Sequence, residues 1–187
     1  MAQSISGIQL RRAAQVVRAG GVIAYPTEGV FGLGCDPEDV NAVEKILSIK
    51  QRPVRAGLIL IAAHRDQLEG WITPTEDEEM ALKSQAPFIT WVVTAGPRCP
   101  DWISGFRQTC AVRITRHPIA AALCEYIDLP LVSTSANRHG QPAALNGLTV
   151  RRTLGGDIDW IVPGATGGAD GASTIRVARD GAVLRGA

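Results

Sequence analysis

Six consecutive apolar residues, Leu58-Ile59-Leu60-Ile61-Ala62-Ala63, constrain this chain more than any other feature. A run without polar alternation has to be covered on both faces, and it is strand-sized, far short of the roughly 18 residues a membrane helix needs. The apolar run at 119–123 is equally short. A strand covered twice requires a sheet with layers on both sides, so helical patterns should alternate with strands. They do. Apolar residues at 10, 13, 14 and 17 fit a helix over 8–19 that ends at Gly20-Gly21, and Val40, Val43, Ile46 and Leu47 fit another over 39–49. Further helices are expected over 76–84, with Glu76, Asp77, Glu78 and Glu79 in its first turn as the helix dipole prefers, and over 118–126 and 148–154. Strands are expected over 22–25, where Pro26 stops the run, and over 57–62, 88–94, 110–115, 131–133, 160–162, 173–178 and 182–184, the last two joined by an Asp180-Gly181 hairpin turn. The final strands follow one another without a helix, so the sheet should be mixed, parallel and antiparallel. No linker or repeat divides the chain, and one α/β (α+β) domain over 1–187 is the expectation.

Charge removes whole classes of function. The formal net charge is +1, so any polyanion site has to be local. The 19 basic residues are all Arg except Lys45, Lys50 and Lys83, a composition suited to bidentate phosphate and carboxylate recognition and equally to a GC-rich genome. The 4 cysteines, at 35, 99, 110 and 124, show neither C-x-x-C nor zinc spacing and are expected to be reduced and structural. His64, His117 and His139 share no pattern and are expected at the surface. Residues 1–7 lack the basic start and apolar core of a signal peptide, which points to the cytoplasm and away from membranes.

Polar chemistry follows directly on three apolar runs. In Tyr25-Pro26-Thr27-Glu28-Gly29-Val30-Phe31-Gly32-Leu33-Gly34, dense glycines permit either a tight structural turn or close backbone approach to a ligand. Lys50 and Arg52 close a helix, where they either answer its dipole or, as a point charge beside a planar fork, hold polyphosphate. In the run ending Ser133-Thr134-Ser135-Ala136-Asn137, four hydroxyl or amide side chains in five positions exceed what capping requires and suit phosphate or a polar substrate. No Walker A loop, dinucleotide fingerprint, nucleophile elbow or zincin motif occurs, and there is no evident nucleophile or general base. Asp36 and Asp170 are compatible with approach to magnesium, although their spacing does not demand it.

Together these segments resemble the YrdC-like family of L-threonylcarbamoyladenylate synthases over about residues 8–187: Tyr25-Pro26-Thr27-Glu28 and its glycine turn, Lys50-Gln51-Arg52-Pro53 before the 57–62 strand, Val112-Arg113 before His117-Pro118, Ser135-Ala136-Asn137, and Ser173-Thr174-Ile175 before Leu184-Arg185-Gly186. The resemblance implies a twisted mixed sheet flanked by helices with a basic concave groove. It also implies synthesis of threonylcarbamoyl-AMP and pyrophosphate from L-threonine, bicarbonate and ATP, with Mg2+ as the companion of ATP, for modification of tRNA beside the anticodon. Carried over, Lys50 and Arg52 are expected to be catalytic, to contact ATP together with Thr90, Ser135, Asn137 and Arg185, and to stabilise charge as the carboxy-threonine oxygen attacks the α-phosphorus. Thr27, Arg113, Ser133 and Ser173 are expected around threonine, with Arg113 clamping the α-carboxylate, and no residue set is assigned to a metal. Downstream threonylcarbamoyl-transfer proteins and tRNA are the implied partners. Two alternatives remain at this point: an RNA-binding module using Lys45, Lys50, Arg52, Arg55, Arg107, Arg113 and Arg116, and a carbamoyl-adenylate-forming domain. One segment departs from the family pattern. Ala86-Pro87-Phe88-Ile89-Thr90 stands where P-G-P-x-T is usual, and Phe88 is expected to be a buried strand residue or, if exposed, to stack on adenine.

Overall fold

A computed structural model describes residues 5–84 and 88–186. Its nine strands are β1 (Ile23–Pro26), β2 (Phe31–Gly34), β3 (Ile59–Ala62), β4 (Ile89–Thr94), β5 (Thr109–Ile114), β6 (Leu131–Ser135), β7 (Trp160–Ile161), β8 (Thr174–Val177) and β9 (Val183–Arg185). They form one sheet in the order β7-β1-β2-β6-β3-β5-β4-β8-β9. The β7/β1, β3/β5 and β4/β8 pairs are parallel and the other neighbours antiparallel, the mixture that the helix-free C-terminal strands imply. Around the sheet lie α1 (Gly7–Arg18), α2 (Val40–Lys50), α3 (Glu76–Lys83), α4 (Asp101–Ser104), α5 (Pro118–Ile127) and α6 (Gly147–Leu154).

Alternation along each strand sorts the side chains into two layers. Val22, Ala24, Phe31, Leu33, Leu60, Ala62, Val112 and Val132 face α2 and α6 and build the larger core, which includes the fully buried Trp71. Ile23, Tyr25, Ile61 and Leu131 face the other way, onto Ala13, Ala14 and Val17 of α1 and Ile119, Leu123 and Ile127 of α5. Burying each large aliphatic side chain there contributes about 1.5–3 kcal/mol. The apolar run 58–63 is thus covered twice, by both cores. Local chemistry sets the helix ends: Ser6 with Gln9, and Thr75 with Glu78, form reciprocal capping boxes at the starts of α1 and α3.

Four features depart from the sequence reading. Phe31–Gly34 is a strand and not only a turn, with Phe31 and Leu33 in the core and Gly32 and Gly34 on the other face; a Cβ at Gly34 would meet Tyr25 Cε1 at 2.7 Å. Pro26 ends β1 as expected, but from inside the strand, as its last residue, paired with Phe31 at the β1–β2 hairpin. β6 runs to Ser135, two residues further than expected, so Ser133 and Ser135 are strand residues. His117 is buried at the start of α5 and not at the surface, its Nε2 3.1 Å from the Ala165 carbonyl oxygen.

Candidate functional site

The face that carries α1 and α5 is only half covered. Beyond the helices it opens into a groove of about 760 Å³, within the range of small-molecule sites. Lys50, Arg52, Arg107, Arg113 and Arg185 line it, and no Asp or Glu does among the described residues. Its floor comes from the inward positions of β2, β6, β3 and β5: Gly32, Ser133, Ser135, Ile59 and Ala111.

One end is built around Lys50. At the end of α2, Gln51 takes a left-handed conformation (φ 47°), and the Arg52 N–H reaches back to the Leu47 carbonyl at 2.9 Å, closing the helix so that Lys50 and Arg52 both turn into the groove. The Lys50 ammonium donates to Ser135 O and Asn137 Oδ1, both at 2.7 Å, to Asn137 O at 3.1 Å and, more weakly, to Ser135 Oγ at 3.3 Å. Three protons cannot serve four acceptors fully, so the longest of these contacts is the one an incoming anion would replace most easily. The Ser135 hydroxyl donates to Asn137 Oδ1, and Asn137 Nδ2 donates to the carbonyls of Arg138 and Gln141, fixing the amide. Burial first, and then the Arg52 charge, push Lys50 down to about 8. Arg52 donates to Gly57 O at 2.9 Å and Ala56 O at 3.2 Å while its Nε is buried without a partner. Burial and the neighbouring Arg107 lower its proton affinity too. These are cations held ready for an anion.

The other end centres on Arg113. Its guanidinium pairs with Glu28 at 3.1 Å, and its Nε is buried without a hydrogen-bond partner. Glu28 also accepts from Thr115 Oγ1 at 2.7 Å and the Arg116 N–H at 3.0 Å. Burial alone would raise the Glu28 carboxyl, but Arg113 and these donors outweigh it and hold the group below the usual carboxylate range. Thr27, Ser133 and Ser173 stand nearby on the groove wall, buried yet lining it, with the Thr27 hydroxyl donating to Val30 O at 2.7 Å. Arg185 donates to Ser173 O at 2.9 Å; burial first, then Arg52 and Arg113, lower its proton affinity, so it lies within reach of both ends.

The expected residues Lys50, Arg52, Ser135, Asn137 and Arg185, and Thr27, Arg113, Ser133 and Ser173, all meet in this groove. Thr90 does not line it: fully buried on β4, it shares a 2.7 Å hydrogen bond with Ser173 Oγ and so backs the Arg113 end instead of the Lys50 end. Phe88 is neither a buried strand residue nor placed at the Lys50 end. It stands before β4, half-buried, with its ring over Arg113, while Ala86 and Pro87 lie outside the described residues. Arg107, expected only for the RNA-binding alternative, lines the groove, and Glu28, given no role from the sequence, pairs with Arg113; a carboxylate in a turn right after an apolar strand is the signal that marks it. Lys45 is paired with Asp159 at 2.6 Å outside the groove. Asp36 and Asp170 do not line the groove either, and the described residues hold no cluster of three His, Cys, Asp or Glu able to bind a metal.

Comparison with known proteins agrees over nearly the whole chain. The Sua5–YciO–YrdC family model, described as "Telomere recombination", matches residues 15–187. A protein named threonylcarbamoyl-AMP synthase from Nitrosococcus oceani is 49% identical over 179 residues, covering 95% of this chain and 97% of that one. Among solved structures, P. abyssi Sua5 complexed with L-threonine superposes with a TM-score of 0.87 at 34% identity over 95% of this chain, which spans only 53% of the P. abyssi chain. E. coli YciO superposes with a TM-score of 0.86 at 26% identity, with 99% and 95% of the two chains covered.

Proposed function

The chain belongs to the Sua5–YciO–YrdC family, and on that premise we propose that it is a threonylcarbamoyl-AMP synthase, its residues 1–187 acting as one YrdC-like domain. The observation that carries the reading is the division of an acid-free groove into a Lys50–Arg52–Ser135–Asn137 end and an Arg113–Ser133–Ser173 end, with Arg185 within reach of both. The first end suits a triphosphate, since Lys50 and Arg52 are desolvated cations flanked by hydroxyl and amide groups. The second suits an amino acid: the Arg113 guanidinium lines that end as a donor group for the α-carboxylate, and Thr27, Ser133 and Ser173 offer hydroxyls to its polar side chain.

The threonine amine takes up bicarbonate with loss of water, and an oxygen of the resulting carboxylate attacks the α-phosphorus. The new P–O bond forms as the bond to the β-phosphate breaks, releasing pyrophosphate. Lys50 and Arg52 stabilise the charge that accumulates on the phosphoryl oxygens, and the groove holds nucleophile and phosphorus together. Positioning and electrostatics supply the catalysis. Without a carboxylate among its described lining residues, the groove does not fit a protein-held Mg2+, which normally takes one or two carboxylates beside substrate phosphates.

The product serves tRNA threonylcarbamoylation in the cytoplasm, passed to downstream transfer proteins, and no helix among the described residues is long and apolar enough to cross a membrane. The RNA-binding and carbamoyl-adenylate alternatives are not favoured beside a threonylcarbamoyl-AMP synthase 49% identical to this chain. The test is mass spectrometry of the product from ATP, L-threonine and bicarbonate. Threonylcarbamoyl-AMP forming only when all three are present supports the reading, and pyrophosphate release independent of threonine defeats it.

A further inference from the structure

Phe88 lines the groove, and the mechanism above gives it no role. Phe88 sits in the turn ahead of β4 with φ 60°, a left-handed conformation that a bulky side chain adopts rarely and at a cost, and such outliers cluster where a side chain has to be aimed. Its ring belongs to neither core. On one side it meets the β1–β2 turn so closely that a Cβ on Gly29 would lie 3.0 Å from its Cζ. On the other side the ring centroid lies 5.5 Å from Arg113 Cζ, within cation–π range.

Arg113 is therefore held from two directions, by the Glu28 carboxylate at 3.1 Å and by the face of Phe88. The two restraints differ in what they consume. A carboxylate occupies N–H donors, whereas a ring face attracts the guanidinium plane and leaves every donor on its edge available. In a groove without other carboxylates, and with Arg185 near enough to repel it, Arg113 needs a restraint of the second kind if its guanidinium is to stay at the groove wall with donors free for a ligand.

We propose that Phe88 is a positioning residue for the amino-acid substrate: its ring face fixes the Arg113 guanidinium so that the open edge receives the α-carboxylate. The inference rests on the assignment of the Arg113 end to threonine. It assigns Phe88 to threonine binding and not to the nucleotide.

The test compares wild type with Phe88→Leu and Phe88→Met, which keep apolar bulk without a π face, and with Phe88→Tyr, which keeps the face. For both apolar variants the KM for L-threonine, and the Kd for L-threonine measured by calorimetry without ATP, should rise about three- to tenfold while the KM for ATP stays within about twofold. Phe88→Tyr should restore wild-type values, a rescue that a purely packing role would not require of the ring face. Equal rises in both KM values, an unchanged threonine KM in Leu and Met alike, or a Tyr variant as impaired as Leu would each overturn the inference. Melting curves at the assay temperature establish that the compared variants are folded, and the Met variant carries the comparison if Leu is not. Wild-type protein that makes no threonylcarbamoyl-AMP would instead overturn the parent assignment.

Discussion

The same strands build two unlike regions on one face of the sheet. On β3 and β6, Ile61 opposes Leu131 beneath α5, and two residues along, Ile59 opposes Ser133 in the open groove. On β5 the residue beside Ile61 is Arg113. Backbone pairing, twist and alternation are shared, so the strands do not decide which region becomes core and which becomes site. Helical cover decides it. Where α1 and α5 lie, the face is aliphatic and burial stabilises it. Where they end, the face carries hydroxyls and five cations, of which Arg113 is paired with Glu28 while no Asp or Glu among the described residues lines the wall itself, an arrangement that costs stability in the ligand-free protein. Substitutions should therefore separate the regions: those under the helices should act on folding, and those in the groove on ligand.

The largest effect is expected under the helices. Leu131→Ala removes a fully buried side chain between β3 and α5 and should destabilise by about 2–5 kcal/mol, lowering Tm by roughly 2–4 °C per kcal/mol in a chain of this size. Activity per folded molecule should persist. A Leu131→Ala protein that melts normally but has lost its threonine and ATP dependence would erase the boundary between the regions.

Next come Lys50→Ala and Arg52→Ala. Losing a charge-assisted phosphate contact costs about 1.5–3 kcal/mol of binding, roughly tenfold and upward in ATP affinity. Tm should stay within a few degrees, because removing a desolvated cation offsets the acceptors left behind on Ser135 and Asn137. ATP titrations followed by calorimetry decide the point, and wild-type affinity in both variants would sink the nucleotide assignment for this end.

Much of this contrast was legible in the sequence, for unequal reasons. The run 58–63 declared a strand covered twice, and Ser133-Thr134-Ser135-Ala136-Asn137 declared too many polar groups for a cap. β2 was harder to read because Gly32 and Gly34 lower strand propensity, and their value lies in what they leave open for Tyr25 and the groove floor, a tertiary reason. His117 looked like a surface histidine because nothing local records that the 163–173 loop folds back over it and supplies Ala165 O. Thr90 and Phe88 were placed by motif position, whereas their directions depend on where β4 starts and on the left-handed turn at Phe88. Residue types show which chemistry is present, and long-range packing decides where each group points.

Ser135→Ala and Asn137→Ala sharpen the comparison at smaller scale. Each deletes a partner of Lys50 or of the Ser135–Asn137 bond at the surface of the groove, so each should lower turnover by severalfold, in keeping with about 1 kcal/mol per hydrogen bond, with Tm within a few degrees. If either variant unfolds while activity per folded molecule is unchanged, that residue is a structural cap and belongs with the covered region.

The smallest change is to a single proton. Lys50 sits at about 8 in the ligand-free groove against 10.5 in an exposed chain, chiefly because burial disfavours its charge. A depressed lysine binds fewer protons folded than unfolded between those values, so its contribution to stability is unfavourable at neutral pH and improves as pH rises through about 8 toward 10.5. Ligand binding has the opposite sign. Phosphate oxygens favour the ammonium and raise its proton affinity, so above pH 8 ATP has to bind together with a proton, and affinity should fall by up to about tenfold per pH unit once Lys50 is mostly neutral. At pH 8.5 the phosphates of ATP are already ionised and do not contribute. Calorimetry in two buffers of different ionisation heat should then register fractional proton uptake by wild type. Lys50→Arg, charged throughout this range, should show none even if it binds ATP less well. An ATP affinity flat from pH 7 to 9.5, or equal proton uptake in the Arg variant, would mean that Lys50 does not meet the nucleotide as a buried cation, and the groove's cost in stability would need another explanation.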